Sequence, residues 1–370
     1  MKVLMLVNWK VDYINNNTLE NKQPPDYYSP KQPYWFYRYF KENVTVDVID
    51  VSSFSILEKF EKKVMRFYFI QALRAIPKLN KYDLVVSHGM QSGIVIALIR
   101  CFKKSRAKHI VFDIGAFNSA AEHGIALRLM QFASKSIDGI IYHTSSQIDY
   151  YKSFFPWLVS KSRFIKFGTD AEFFGDNIAN LKYDTDEPFC LCVGYSKRDW
   201  KTLITAFTNA GFSNLKLKLI GNVDPDLNKY ENVIQMPFIQ INDLKKQIQN
   251  SKFAVLPLKS FNYSYGQMTL MQQMAIGKCV IMAKVPSLVD YAIDGYNCVC
   301  YEPEDVNDLK SKMIHVNEDD TFRERIGMNA AHYIKESCNE KIMATEVENY
   351  YSEFIKDKAQ NSDKNIWKEN

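Results

Sequence analysis

Short apolar segments alternate with helical stretches along almost the whole chain, and this alternation restricts the fold more than any other feature. In the first half the segments are KVLMLV, VTVDVIDV, DLVVSH, HIVFDI, GIIYH and SRFIKFG; in the second they are FCLCVG, LKLKLIG, NVIQM, FAVLPL, CVIMA and CVCY. Such runs predict strands, and the helical stretches between them predict parallel α/β sheets covered on both faces. Helices are expected over 57–79, 92–104 with Ser92 as N-cap, 122–136, 145–154, 199–210, 241–250, 269–277 and 304–315, then near 319–336 and 339–357. The rhythm breaks at 169–188, where Asp, Asn, Gly and Pro collect, as in a linker. A chain of 370 residues also exceeds what one core usually serves. The expectation is two doubly wound Rossmann-like domains, 1–168 and 189–339, with a helix at about 340–357 packing back on the first and a frayed tail at 358–370. Two such domains facing across a cleft would each hold one ligand, which suits group transfer.

Composition narrows the class. Hydrophobic residues are 46% and charged residues 24%, and no apolar run approaches the about 18 residues that span a bilayer. The opening MKVLMLVNWK is too short for a secretory segment and suits a first strand, so a cytoplasmic protein is expected. Seven cysteines form an odd set with no C-x-x-C pair, which predicts reduced thiols. Cys190/Cys192 and Cys298/Cys300 each share a strand face; core packing is expected there, not a metal. The triplets Asp184/Asp186 and Asp224/Asp226 fall in a linker and a loop, so no metal is assigned to them either.

The net charge of +5 is uneven. Basic residues crowd 100–108 and 57–78, where Leu57, Phe60, Val64, Phe67, Ile70 and Leu73 form an amphipathic face. That face can pack on the sheet or, with its basic flank, touch anionic lipid at the inner face of the cell membrane. No recognition motif for nucleic acid accompanies the charge.

The chemistry concentrates in the second half. At 254–301 a strand leads through Tyr265, Gly266 and Gln267 into a helix near Thr269. Main-chain amides from Gly266 through Met268 to Thr269 could hold a phosphate at the helix start; alternatively, Thr269 and Gln272 form a capping box and nothing binds. In VGYSKRDWKTLITAF a strand ends at Gly194, and Lys197, Arg198 and Lys201 gather at its carboxyl end. These cations could hold a diphosphate, Arg198 by its fork; the alternative is a solvated basic turn, disfavoured by the helix dipole. In the first half His88, Asp113 and His123 sit at strand ends or loops. They are candidates for positioning or deprotonating an acceptor hydroxyl, or simply local hydrogen-bond partners.

Residues 164–315 resemble the C-terminal domain of family 4 type, GT-B fold glycosyltransferases. The matching motifs are Val193, Gly194, Arg198 and Leu203–Phe207; MPFIQINDLKKQIQNSKFAVLPL; YGQMTLMQQMAIGKCVI; and VPSLVDYAIDGYNCVCYEPED. The resemblance implies a metal-independent, retaining transfer from a UDP or GDP sugar, serving here as substrate and not as cofactor, to a glycan or lipid-linked acceptor in cell-surface polysaccharide assembly. It also implies base contacts at Phe238 and Ile239. The family has two glutamates eight positions apart, and these fall on Tyr265 and Gln273. Gln273 can inherit contacts to ribose hydroxyls. Tyr265 cannot reproduce a carboxylate, so a nucleotide-sugar-binding scaffold without catalysis is the alternative. The first half is similar more weakly, and the glycine-rich first loop is replaced by NWKVDYINNN.

Overall fold

In the computed structural model every expected apolar run is a strand. It describes residues 1–14, 22–30, 32–51, 67–103, 105–115, 122–175, 187–194, 196–221, 224–261 and 263–366. The chain divides into unit 1, Met1–Lys166 with Lys341–Asn370, and unit 2, Phe167–Glu340.

Unit 1 holds a parallel sheet of β1 (Lys2–Leu6), β2 (Thr45–Ile49), β3 (Leu84–His88), β4 (Lys108–Asp113), β5 (Gly139–Tyr142) and β6 (Ser162–Phe164). Their spatial order is β2-β1-β3-β4-β5-β6. β3 and β5 are buried along their whole length and β1 from Val3 onward, as strands covered on both faces must be. The covering helices include α1 (Phe69–Ala75), α2 (Met90–Phe102), α3 (Ile125–Ser134) and α4 (Gln147–Phe154). Of the helix expected over 57–79, residues 67–79 contain α1 and part of a 3-10 turn, while 57–66 lie outside the described residues. Helix α2 begins two residues before Ser92: Gly89, at φ +99°, is its N-cap, and Ser92 is buried in the first turn.

Unit 2 holds β7 (Phe189–Val193), β8 (Lys216–Ile220), β9 (Val233–Met236), β10 (Phe253–Leu256), β11 (Val280–Ala283) and β12 (Val299–Tyr301), ordered β9-β8-β7-β10-β11-β12 and all parallel. This is the doubly wound order that reverses between the first and fourth strands. Helices α5 (Trp200–Ala210), α6 (Ile241–Asn250), α7 (Gln267–Ala275), α8 (Val306–Glu318) and α9 (Asp320–Ser337) cover it. Of the expected linker, 176–186 lies outside the described residues, taking Asp184 and Asp186 with it. Asp224 is an N-cap whose carboxylate accepts from the Asp226 amide at the start of a 3-10 turn.

The last helix, α10 (Glu340–Ile366), packs on unit 1. Tyr350 donates to the Lys161 carbonyl at 2.6 Å, and Glu348 accepts from the amides of Lys41 and Glu42 at 3.0 and 2.8 Å. Gly139 admits this contact, because a Cβ there would lie 2.6 Å from Tyr350 Oη. The seven cysteines are free thiols.

Candidate functional site

Ligands of doubly wound sheets bind beyond the carboxyl ends of strands where the strand order reverses. In unit 2 that point lies between β7 and β10. Gly194 follows β7 at φ +103°, and a Cβ there would come within 2.4 Å of Arg198 Nη2. The absence of a side chain lets Arg198 fold back on the strand end. Its Nε and Nη2 donate to the Val193 carbonyl at 3.0 and 2.7 Å, Nη1 to the Ser196 carbonyl at 3.3 Å, and Nη2 to Thr269 Oγ1 at 3.3 Å. Arg198 is 6% exposed, and among the described residues no carboxylate pairs with it. Its neighbour Asp199 turns to the Thr202 amide and caps α5.

A buried charge is costly unless compensated. Four of the five guanidinium N–H groups are spent on carbonyls and a hydroxyl. One Nη1 N–H remains, beside a net positive charge.

The same bond ties Arg198 to the first turn of α7. Gly266, left-handed at φ +86°, is the N-cap, and no side chain caps the helix. The capping box of Thr269 with Gln272 does not form; the Thr269 hydroxyl accepts from Arg198 instead. Helix dipole and guanidinium therefore converge, and both favour an anion. Tyr265 bridges the loops by donating to the Ser196 carbonyl at 2.7 Å. Lys197, at φ +57°, sets its ammonium over the rings of Tyr263, Phe261 and Tyr265 at 4.0, 4.4 and 5.1 Å, and partial burial lowers its pKa. The FNYSY run beside the loop supplies this cage, which the sequence reading missed although three aromatics in five residues announced it.

The remaining expected donor residues divide. Phe238 is 68% exposed, and its ring stands 3.4 Å from where a Gly221 Cβ would be, a point itself 3.6 Å from the Gly194 backbone. Ile239 is partly buried against the core. Gln267 is buried and braces α7 by donating to the Ser287 carbonyl at 2.7 Å. Met268 is exposed. Lys201 is exposed on the second residue of α5, and no bond joins it to Arg198 or α7 among the described residues. Gln273 has no exposed surface, and neither amide atom has a partner. The ribose contact implied for it is thus placed on the sealed side of α7. Gln272, one residue earlier and partly exposed, shares the outer face with Met268.

In unit 1 the equivalent reversal lies between β1 and β3. His88 sits there, enclosed by Trp9, Trp35 and Phe112 at ring distances of 4.8, 5.5 and 5.6 Å. Neither ring nitrogen has a partner, and burial lowers its pKa to about 3. It is a neutral packing group, too weak a base for the role considered for it. Asp113 is also corrected: it is wholly buried and accepts from the Tyr151 hydroxyl at 2.5 Å, Gln147 at 3.2 Å and the Gly115 amide at 3.0 Å. Its carboxylate anchors α4. His123 is exposed in a bend before α3. Trp35, at φ +49°, separates the His88 cluster from a cavity of about 180 Å³ lined by Tyr27, Ser29, Gln32, Tyr34 and Arg38.

Residues 175–333 match the family model described as Glycosyl transferases group 1. An uncharacterised glycosyltransferase of Methanocaldococcus jannaschii is 31% identical over 94 residues, covering 25% of this chain and 26% of that protein; the match thus spans about a quarter of that relative's length. Among solved structures, sucrose-phosphate synthase from Thermosynechococcus elongatus superposes with TM-score 0.69 at 17% identity, over 96% of this chain and 99% of that one. HepE of Anabaena, in complex with UDP-glucose, gives TM-score 0.66 at 15% identity over 95% and 100%. A glycosyltransferase from Rickettsia africae gives 0.68 at 13% over 96% and 99%. The fold is GT-B, two Rossmann-like α/β units.

Proposed function

We propose that this chain is a glycosyltransferase: unit 2 binds a nucleoside-diphosphate sugar and unit 1 binds the hydroxyl acceptor. The observation that carries the reading is Arg198, a buried guanidinium without a carboxylate partner among the described residues, bonded to Thr269 at the start of α7, which no side chain caps. The diphosphate lies on the first-turn amides of α7 and the remaining Arg198 N–H, the base against Phe238, and the ribose beside Gln272. As the glycosidic bond breaks, negative charge grows on the departing diphosphate, and these fixed dipoles and the guanidinium stabilise it without reorganisation. The protein thereby supplies the charge stabilisation that a metal provides elsewhere. The match to group 1 glycosyltransferases over 175–333 supports the reading.

The finer features belong to the same proposal: a family 4 type, retaining, metal-independent transfer to a glycan or lipid-linked acceptor, in polysaccharide assembly at the cytoplasmic face of the membrane. The aromatic cavity beside Trp35 is the candidate acceptor subsite. HepE was solved with UDP and with UDP-glucose, which makes UDP-glucose the first donor to try. The test is UDP release from UDP-glucose and from GDP-mannose, with and without sugar acceptors. Turnover on one donor, reduced about 100-fold in Arg198→Ala, is expected. Unchanged kinetics in that variant would remove Arg198 from the site. The second reading, a nucleotide-sugar-binding scaffold, is favoured by Tyr265, whose hydroxyl is committed to Ser196 and cannot act as a carboxylate. Tight UDP binding with no turnover on any donor would select it.

A further inference from the structure

Helix α3 turns three large apolar side chains outward. Ile125, Leu129 and Phe132 are 85%, 41% and 45% exposed, and spacings of four and three residues set them on one face. The opposite face already supplies Leu127, Met130 and Ala133 to the core, so internal packing does not need them. Phe102 at the end of α2 is 80% exposed, and its ring lies 6.0 Å from that of Phe132, extending the face across two helices. Adjoining apolar side chains left in water mark a contact surface. The rim is basic: Lys103, Arg106, Arg128 and Lys135 are exposed. Of the carboxylates in the same stretch, Asp138 is occupied by Arg100 and Lys108, Asp113 is buried, and only Glu122 is exposed.

We propose that this face of unit 1 docks on an anionic lipid membrane, the four apolar side chains entering the acyl boundary and the basic rim meeting the headgroups. It reassigns part of the basic stretch at 100–108, because Arg100 and Lys108 are paired with Asp138. A second copy of the chain fits worse, since a two-fold contact would press the basic rim against itself. Helix α3 follows β4 and leads to the parallel neighbour β5, so its first residue, Ile125, lies toward the carboxyl edge of the unit 1 sheet, where ligands of such sheets bind. A lipid-linked acceptor would meet the protein there; that last step rests on the proposed function, whereas the docking does not.

Co-sedimentation of the full chain with vesicles tests the docking. Binding is expected to vesicles of phosphatidylcholine with phosphatidylglycerol and not to phosphatidylcholine alone, and to weaken with added salt. Phe102→Ser with Phe132→Ser should reduce the partition about tenfold or more, and Lys103→Ala with Arg128→Ala about fivefold for each charge removed. Circular dichroism and UDP titration of both variants should match the wild type, which separates lost docking from lost folding or a lost donor site. Equal binding to the two vesicle types, no binding to either, or wild-type partition of both variants would overturn the proposal. So would a stable dimer in solution that the phenylalanine substitutions dissociate.

Discussion

Arg198 is 6% exposed and donates to the Val193 and Ser196 carbonyls and the Thr269 hydroxyl, so single atoms around it decide whether an anion can be held. Gly194→Ala would place a methyl 2.4 Å from Nη2 in a backbone conformation that side chains resist. UDP affinity should fall about tenfold with little change in the fold, measured by calorimetry and circular dichroism. Two adjacent amides give a sharper contrast. Gln272→Ala should weaken UDP binding about fivefold. Gln273→Leu should leave UDP binding unchanged and hold or raise stability by up to about 1 kcal/mol, because it removes buried polar atoms without partners. Arg198 and Gly266 were legible in the sequence because a cation at a strand end and a glycine before a helix each carry a local physical signal. The phase of α7 was not: one residue is about 100° of helix rotation, and in QMTLMQQMA apolar side chains occupy most directions, so no stripe distinguishes Gln272 from Gln273. Asp113 and His88 failed as acceptor bases for a related reason, since sequence shows a titratable residue at a strand end but not whether neighbours seal it.

At the scale of elements, strands were legible because a strand buried on both faces has to be a continuous apolar run. Helix starts were less so. Ser92 and Thr269 have the chemistry of caps, yet the chain uses Gly89 and Gly266, both at positive φ and each three residues earlier. A glycine cap frees the first-turn amides, which at α7 is the feature the site needs. Element docking follows the same steric logic. Gly139→Ala would set a methyl 2.6 Å from Tyr350 Oη and 2.8 Å from the Phe354 ring, forcing α10 off β5. A loss of about 1–3 kcal/mol is expected in denaturant unfolding. Tyr350→Leu in the same chain should recover part of it by removing the obstructing hydroxyl.

Across the whole molecule, the α/β alternation foretold two parallel sheets, while the strand orders come from right-handed crossovers that no residue pattern displays. The buried histidines are also unevenly shared. His88, His109 and His143 all lie in unit 1, and burial lowers their pKa values, to about 3 for His88 and about 4 for His143. Folded, they stay neutral where the unfolded chain takes up protons near pH 6.5, so their contribution is present above that pH and is lost as pH falls toward 4. Acidification from pH 7 to pH 5 should therefore cost unit 1 on the order of several kcal/mol. Calorimetric scans of the wild type and His109→Gln check this: a pH dependence unchanged by that substitution would contradict it. The account as a whole stands on one anion site, and a crystal structure with UDP tests it most directly. The diphosphate is predicted within about 3 Å of the α7 first-turn amides and of Arg198 Nη1, with the base against Phe238. UDP bound elsewhere, or a diphosphate that touches neither Arg198 nor α7, would contradict it.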